Sequence, residues 1–109
     1  MIKIPQSELE IMKVIWQHKE EPVSSKMVTT KLEEIKGWKR TTTLTLLGRL
    51  TEKGFLEADK TRRLTYYTTI IKEEDYKLFA IKTFVKDVLN IDIEDMSRLK
   101  KIYSFIESI

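Results

Sequence analysis

The sequence predicts a mainly α-helical fold that contains one small β-hairpin. Most of the chain repeats apolar residues at the three-and-four spacing of amphipathic helices, whereas residues 55–70 partly alternate in the manner of strands. The 109 residues suffice for one domain with its own core, or for a small domain with an appended element. The chain has no cysteine, which excludes disulfide bridges, thiolate metal sites and a cysteine nucleophile.

Composition and charge indicate where the protein acts and what it binds. No apolar run approaches the ~20 residues of a membrane span, and residues 1–5 lack the long apolar stretch of a secretion signal. We therefore expect a soluble, cytoplasmic protein. The net charge is only +3, but residues 36–63 carry eight basic against three acidic side chains. Such a basic patch is typical of nucleic-acid-binding proteins, although many solvated faces of other proteins look similar.

The first helix is predicted at about residues 7–18. Ser7 and Glu10 have the spacing of a capping box, in which each side chain accepts a hydrogen bond from the other residue's backbone amide. Pro5, just upstream, fits a helix start. The polar run that follows the helix closes at Pro22, so it is predicted to be a loop, and Val23 is a candidate strand residue.

The second helix is predicted to run to about Ile35, with Ser24 or Ser25 as its cap. Its apolar face is expected to consist of Val28, Leu32 and Ile35, which recur at helical spacing.

A tight turn joins the second helix to a third one, predicted at about residues 40–53. Gly37 is a natural C-terminal stop for the second helix, and Gly54 for the third. Two short helices in this arrangement indicate a helix-turn-helix motif, whose second helix enters the major groove of DNA. The alternative is an ordinary pair of packed helices in a bundle.

The two faces of the third helix differ in a way that favours DNA binding. One face is a core stripe made of Thr43, Leu46, Leu47 and Leu50. The opposite face consists of Thr41, Thr45, Gly48, Arg49 and Glu52, with Thr42 beside them and Arg40 and Arg49 flanking the threonines. Threonine and glycine are weak helix formers, so this face costs stability and is more typical of a functional surface. Threonine offers a hydroxyl to phosphates or base edges and a methyl to thymine, and arginine binds guanine or phosphate.

The strand-like residues 55–70 are predicted to form a hairpin with a basic tip. Lys60, Arg62 and Arg63 lie at this tip, where they could contact backbone phosphates. A hairpin directly after a recognition helix is the wing of a winged helix-turn-helix domain. The alternative is a solvated hairpin tip, where charged residues are common.

Two more helices are predicted after residue 72, separated by a break at Asn90, with Asp92 as the cap of the last one. They carry more apolar surface than a separate two-helix arm can hide from water. We expect residues 1–71 to form the winged-helix domain and residues 72–109 a C-terminal helical dimerisation arm, although these helices could instead fold back onto the core. The expected dimerisation residues are Tyr76, Phe79, Phe84, Val88, Met96, Leu99, Ile102, Phe105 and Ile106.

With these elements in place, the sequence resembles the penicillinase and methicillin-resistance repressors, the BlaI/MecI family of winged-helix regulators. The similarity extends well over residues 7–76 and in outline beyond them. The residues that carry it, in order, are those at positions 10–16, Trp38, Thr42, Thr45, Leu47, Arg49, Leu50, Lys53, Gly54, Tyr67, Asp75 and Tyr76.

The resemblance implies a homodimeric repressor whose winged helix binds a palindromic operator and whose C-terminal helices dimerise. Family members contact bases through the first two turns of the third helix. By position, those contacts would fall on Thr41, Thr42 and Thr45, and Arg49 would lie near phosphate. The implied partners are therefore double-stranded operator DNA and a second copy of the chain.

The sequence also departs from the family pattern. Arg40 replaces a frequent proline, and Arg62 replaces a frequent wing glycine. Antibiotic-responsive members carry a cleavable Asn-Phe pair, but Asn90 is followed here by isoleucine, which argues against induction by that proteolytic cut. A sensor protease stays a candidate partner. The cysteine-rich metal motif of a copper-responsive branch is missing, and we expect neither a metal nor a cofactor.

The sequence is also compatible, to different degrees, with three other functions. A winged helix can serve as a protein-interaction module with no role on DNA. A ligand-responsive regulator of the MarR type shares the winged helix and the helical dimer, but it usually has more helix before its winged-helix core. An enzyme is the least supported hypothesis, because the sequence offers no plausible set of catalytic residues. It has a single histidine, His18, and it has neither a cysteine nor a glycine-rich phosphate-binding loop.

Overall fold

The computed structural model describes residues 1–90 and 96–109 of the chain, with side chains described for residues 1–90, 101 and 103–109. These residues form a mostly helical structure with a small antiparallel sheet, which confirms the predicted fold class. The elements, in order, are α1 (Gln6–Gln17), β1 (Val23–Ser24), α2 (Ser25–Lys36), α3 (Arg40–Glu52), β2 (Leu56–Asp59), β3 (Tyr66–Thr69), α4 (Glu73–Leu89) and α5 (Met96–Ser108).

The chain divides into two compact units. One unit comprises residues 4–72 and therefore holds the first three helices and the sheet, and the other comprises residues 1–3 and 73–109. None of the helices within the described ranges is long and apolar enough to cross a membrane.

A serine cap and two glycines determine where α2 begins and where α2 and α3 end. Ser24, one of the two predicted caps, accepts a hydrogen bond at its Oγ from the backbone amide of Met27 at 3.1 Å. Gly37 ends α2 in a left-handed conformation, with φ at 68°, and Gly54 follows α3 with φ at 79°. Glycine suits both positions because a Cβ atom disfavours positive φ.

The predicted capping box at the start of α1 is wrong. The helix begins one residue earlier, at Gln6, and Pro5 occupies the N-cap position without a side-chain hydrogen bond. Ser7 therefore lies inside the helix. Glu10 instead accepts a hydrogen bond from the side-chain amide of Gln6 at 2.8 Å, so that an i, i+4 pair replaces the capping box.

The core of the first unit forms where α1, α2 and α3 pack together. The predicted stripe of α3, Thr43, Leu46, Leu47 and Leu50, is buried as expected. On α2, Val28 and Leu32 are fully buried, but Ile35 is 49% exposed. The predicted apolar face of α2 is thus wrong at its last position, because Ile35 lies in the final helical turn, beyond the packed part of the face.

The sheet has one strand more than the predicted hairpin. The strand order is β1–β3–β2, and both pairs are antiparallel, with Val23 opposite Tyr67 and Ala58 also opposite Tyr67. Glu21, just before β1, accepts hydrogen bonds at Oε1 from the amide and the hydroxyl of Thr69. The short β1 therefore covers one edge of β3 and joins the hairpin to the chain that leads into α2.

Two long-range contacts tie α1 to the rest of the unit. The indole Nε1 of Trp16 donates a hydrogen bond to the backbone oxygen of Ile71 at 3.0 Å. Glu8 is 1% exposed, and its Oε1 lies 2.6 Å from Nζ of Lys53, the residue that follows α3. A buried carboxylate needs a charged partner, so this ion pair fixes the end of α3 against α1.

The second unit contains α4 and α5. Nζ of Lys77 on α4 lies 2.9 Å from Oε1 of Glu107 on α5 and 3.7 Å from Oε1 of Glu73. The hydrogen bond to Glu107 raises the pKa of Lys77 and lowers the pKa of Glu107. Asn90 ends α4 with a positive φ of 54°, as its predicted role as a helix breaker requires. The predicted cap Asp92 lies outside the described residues.

We predict that Lys53→Met lowers the free energy of unfolding by on the order of 3 kcal/mol, because it leaves the Glu8 carboxylate buried without a partner. Urea denaturation followed by circular dichroism measures this loss. Glu8→Gln in the Lys53→Met background should recover part of it.

Lys13→Met is the matched control, since Lys13 pairs with Glu10 at 3.8 Å on an exposed surface. Such pairs contribute below about 1 kcal/mol. Equal losses for Lys53→Met and Lys13→Met would contradict the structural role of the buried pair.

Candidate nucleic-acid interface

The core-facing side chains of α3 determine which residues the helix presents to solvent. Because Thr43, Leu46, Leu47 and Leu50 are buried, the opposite side faces outward along its whole length. Thr41, Thr42, Thr45 and Arg49 are exposed on or beside this side, as the sequence predicts for candidate DNA-binding residues, and so is the acidic Glu52. Arg40 is also exposed, in the first turn of the helix. Four of these residues, together with Leu46, line one shallow surface depression: Thr41, Thr42, Thr45 and Arg49.

The three outward threonines differ in what their hydroxyls can offer. Oγ1 of Thr45 donates its hydrogen to the backbone oxygen of Thr41 at 2.9 Å, so it is left with acceptor lone pairs, and the side chain also carries a methyl group. The hydroxyls of Thr41 and Thr42 make no hydrogen bond to the residues that the structure describes. Those two hydroxyls can therefore either donate to or accept from an external molecule.

Thr43 shows that α3 is not selected for stability alone. Its side chain is fully buried, and Oγ1 has no hydrogen-bond partner among the described atoms. A buried, unsatisfied hydroxyl costs about 1–3 kcal/mol. Together with three exposed threonines, this helix contains four residues of low helix propensity in its first two turns.

The hairpin tip is shaped by a local network around Asp59. The carboxylate accepts hydrogen bonds from the hydroxyl of Thr61 at 2.6 Å and from its backbone amide at 2.9 Å. These bonds, and the nearby Arg62 guanidinium, lower the pKa of Asp59. The acid therefore stays ionised and holds the chain in an Asx-type turn at the end of β2.

Arg62 lies within this network, whereas its two basic neighbours do not. The guanidinium stacks over the ring of Tyr66 at 4.6 Å, and its Nε lies 3.9 Å from Oδ2 of Asp59. Cation–π stacking and the carboxylate both restrain this side chain. Lys60 and Arg63 are exposed and form no ion pair within the described part of the chain. The tip thus offers two free cations and one restrained cation.

The eight basic side chains of residues 36–63 fall into two groups, those that lie close to a carboxylate and those that do not. Lys36, Lys53 and Arg62 each lie close to a carboxylate, of Glu10, Glu8 and Asp59 respectively. The other five basic side chains form no ion pair among the described residues: Lys39, Arg40, Arg49, Lys60 and Arg63. These five belong to α3, its N-cap position and the hairpin tip, so the uncompensated positive charge lies on the elements of the candidate interface.

Sequence reasoning did not identify several residues that shape this surface. Asp59, Thr61 and Tyr66 form the turn and the stacking contact of the tip, and the Asp-Lys-Thr order was a usable signal for an Asx-type turn. Lys39 has an uncompensated charge next to α3, and Leu46 lines the depression although most of its side chain is buried.

The residues expected to mediate dimerisation fall into three groups. Phe84, Val88, Phe105 and Ile106 are 52–67% exposed, and Phe79 is half-buried. Tyr76 is only 4% exposed and stacks obliquely against Phe79, with 6.1 Å between ring centroids. The side chains of the remaining three lie outside the described residues: Met96, Leu99 and Ile102.

No group of three potential metal ligands forms among the described residues. His18, the single histidine, lies in the exposed loop after α1, where its Nδ1 is 2.7 Å from the backbone oxygen of Glu20. This ring has a local structural role at the end of the helix.

The chain matches a known protein family over most of its length. The sequence profile of the penicillinase repressor family matches residues 4–102 of the chain. The penicillinase repressor of Bacillus licheniformis is 34% identical over 111 residues, which cover 99% of this chain and 81% of that protein. The methicillin resistance regulatory protein MecI of Staphylococcus aureus strain N315 is 30% identical over 86 residues, which cover 79% of this chain and 68% of that protein.

Two solved structures share both fold and sequence with this chain. The solution structure of the DNA-binding domain of the repressor BlaI superposes with a TM-score of 0.58 at 35% identity, over 87% of this chain and 100% of that one. The monomeric form of Bacillus licheniformis BlaI, solved in complex with the blaP half-operator, gives a TM-score of 0.58 at 39% identity, over 69% of this chain and 89% of that one.

Proposed function

Since this chain belongs to the penicillinase repressor family, as its sequence resemblance predicted, we propose that it is a sequence-specific DNA-binding transcriptional repressor. The observation that carries the proposal is the outward side of α3. It presents Thr41, Thr42 and Thr45 between two arginines, Arg40 and Arg49, that no described carboxylate neutralises.

In the proposed complex, α3 lies in the major groove. Thr41 and Thr42 donate to or accept from base edges, and Thr45 presents its methyl group and its acceptor lone pairs, because its hydrogen is used within the helix. Arg40 and Arg49 flank these residues and bind phosphate or guanine. This division separates contacts that specify a sequence from contacts that position the helix.

The wing extends the same surface onto the DNA backbone. Lys60 and Arg63 are the proposed phosphate contacts, because both charges are free. Arg62 mainly holds the shape of the tip through Tyr66 and Asp59, so its contribution to phosphate binding is smaller. This assignment refines the expectation, made from sequence, that all three cations act alike.

We predict that Thr42→Ala and Thr45→Ala weaken base preference, each by about 1 kcal/mol at one position of the site, because each removes a single contact to a base edge. The probe is a 30-base-pair duplex that the parent protein selects from a randomised library, and affinities for single-base variants of this duplex are measured by fluorescence anisotropy. Thr30→Ala, an exposed threonine on α2, is the matched control. Unchanged preference in both variants would remove these threonines from the interface.

The same assay separates the cations by the salt dependence of binding. Arg49→Ala and Arg63→Ala should each lower the slope of log K against log salt by about 1, because each removes one phosphate contact. Arg62→Ala should change the slope less, and the loop variant Lys19→Ala should not change it. A parent protein that binds no duplex at low salt would contradict the proposal and favour a winged-helix module for protein partners.

We further propose that the chain acts as a homodimer on a palindromic operator, with half-sites about one helical turn apart or a multiple of it. The support is the exposed apolar surface of the second unit. Phe84 and Val88 are 55% and 64% exposed one turn apart on α4, and Phe105 on α5 is 67% exposed. Tyr76 is left out of the proposed contact surface because the chain already buries it.

We predict that Phe84→Lys and Val88→Lys each raise the dimer dissociation constant at least tenfold, because each places a charge in an apolar contact. Sedimentation velocity over a concentration series measures this change. Lys86→Glu, at an exposed position on the opposite side of α4, also changes a charge and should leave the dimer intact. A parent chain that stays monomeric with and without DNA would overturn the dimer.

The alternatives receive less support. The family assignment favours a repressor over an enzyme and over a MarR-type regulator. A sensor protease as a further partner has no support in these residues, because Asn90 is followed by isoleucine rather than phenylalanine. Binding to an operator would also place the protein in the cytoplasm, the location expected from the sequence.

A further inference from the structure

One glycine of the chain has no explanation within the folded chain itself. Gly37 and Gly54 have positive φ values of 68° and 79°, which glycine adopts without strain. Gly48 lies in the interior of α3 with ordinary helical backbone, so conformation does not require a glycine there. A glycine in a helix interior costs about 1 kcal/mol relative to alanine.

Packing does not require a glycine at this position either. Apart from the two neighbouring residues and the backbone of its own helical turns, a Cβ atom built on Gly48 would meet no atom of the described chain within 4 Å. The residue is exposed, and it lies seven positions after Thr41 and three after Thr45 on the outward side of the helix. Neither the backbone nor a neighbouring element of the chain therefore accounts for the missing side chain.

We propose that Gly48 is a positioning residue that lets α3 approach DNA more closely than any side chain would permit. The inference rests on the proposed function, since it assigns the surface around Thr45 and Arg49 to DNA. Without a Cβ atom, the helix backbone at this point can touch the DNA surface directly, which brings the flanking residues within contact distance. The loss of helix stability at Gly48 is thus coupled to DNA affinity.

If Gly48 has this role, replacing it should stabilise the free chain and weaken its binding to DNA, and the test measures both effects. Gly48→Ala should raise the melting temperature of the free chain by roughly 4–8 °C, because alanine is the better helix former and the methyl group has space. The same variant should bind the selected duplex about tenfold more weakly, because the methyl group holds the helix away from DNA. Gly48→Leu should weaken binding further while the free chain remains folded.

Thr30→Ala is the matched control, since it also raises helix propensity at an exposed position, on α2 rather than α3. It should raise the melting temperature and leave the affinity unchanged. A mixed-sequence duplex identifies the contacted part of DNA: loss on both duplexes indicates the backbone, and loss on the selected duplex alone indicates base edges.

Two results would overturn the inference in distinguishable ways. If the parent binds the selected duplex and Gly48→Ala binds it equally well or more tightly, the positioning role of Gly48 is wrong and the proposed repressor function stands. If the parent binds no duplex at low salt, the proposed function fails and the inference fails with it.

Discussion

The buried ion pair between Glu8 and Lys53 is the constraint on which the arrangement of the first unit depends. Glu8 is almost fully buried on α1, and its carboxylate is 2.6 Å from the ammonium group of Lys53, the residue that follows α3. A charge removed from water is tolerated only beside its partner, so the pair fixes the C-terminal end of α3 against α1. The chain turns at Gly54 immediately afterwards and enters the hairpin.

Because the buried side of α3 packs in the core and its end is fixed by the ion pair, the outward side does not need to contribute to the stability of the fold. Threonines at three outward positions and the glycine at position 48 weaken the helix. On the buried side, the unsatisfied hydroxyl of Thr43 also costs stability. Among the basic side chains of residues 36–63, those that form no ion pair with the described residues lie on α3, at its N-cap position and at the hairpin tip. By contrast, Lys36, Lys53 and Arg62 each lie close to a carboxylate. Stability and proposed function thus occupy different sides of one helix.

Local patterns in the sequence predicted most of the fold, and the misses all involve non-local or geometric effects. The periodicity of α3 identified its buried stripe, and the Ser24 cap and the glycine stops follow from nearest-neighbour chemistry. Ser7 was misassigned because a capping-box pattern does not show which residue leaves the helix, and Ile35 because periodicity does not show where packing ends. The Glu8–Lys53 pair joins residues 45 positions apart, and the stacking of Arg62 on Tyr66 depends on the register of the hairpin. The candidate residues of α3 were named from sequence, but only the structure distinguishes Arg62 from its neighbours.

The central claim is that the outward side of α3 contacts bases. The most direct measurement is NMR spectroscopy of the isotope-labelled chain with the selected duplex, in which nuclear Overhauser effects between protein methyl groups and DNA protons are recorded. The account predicts such effects from the methyl groups of Thr42 and Thr45 to base protons in the major groove. Effects that instead connect DNA only with the outward face of α2, around Thr30, would contradict it.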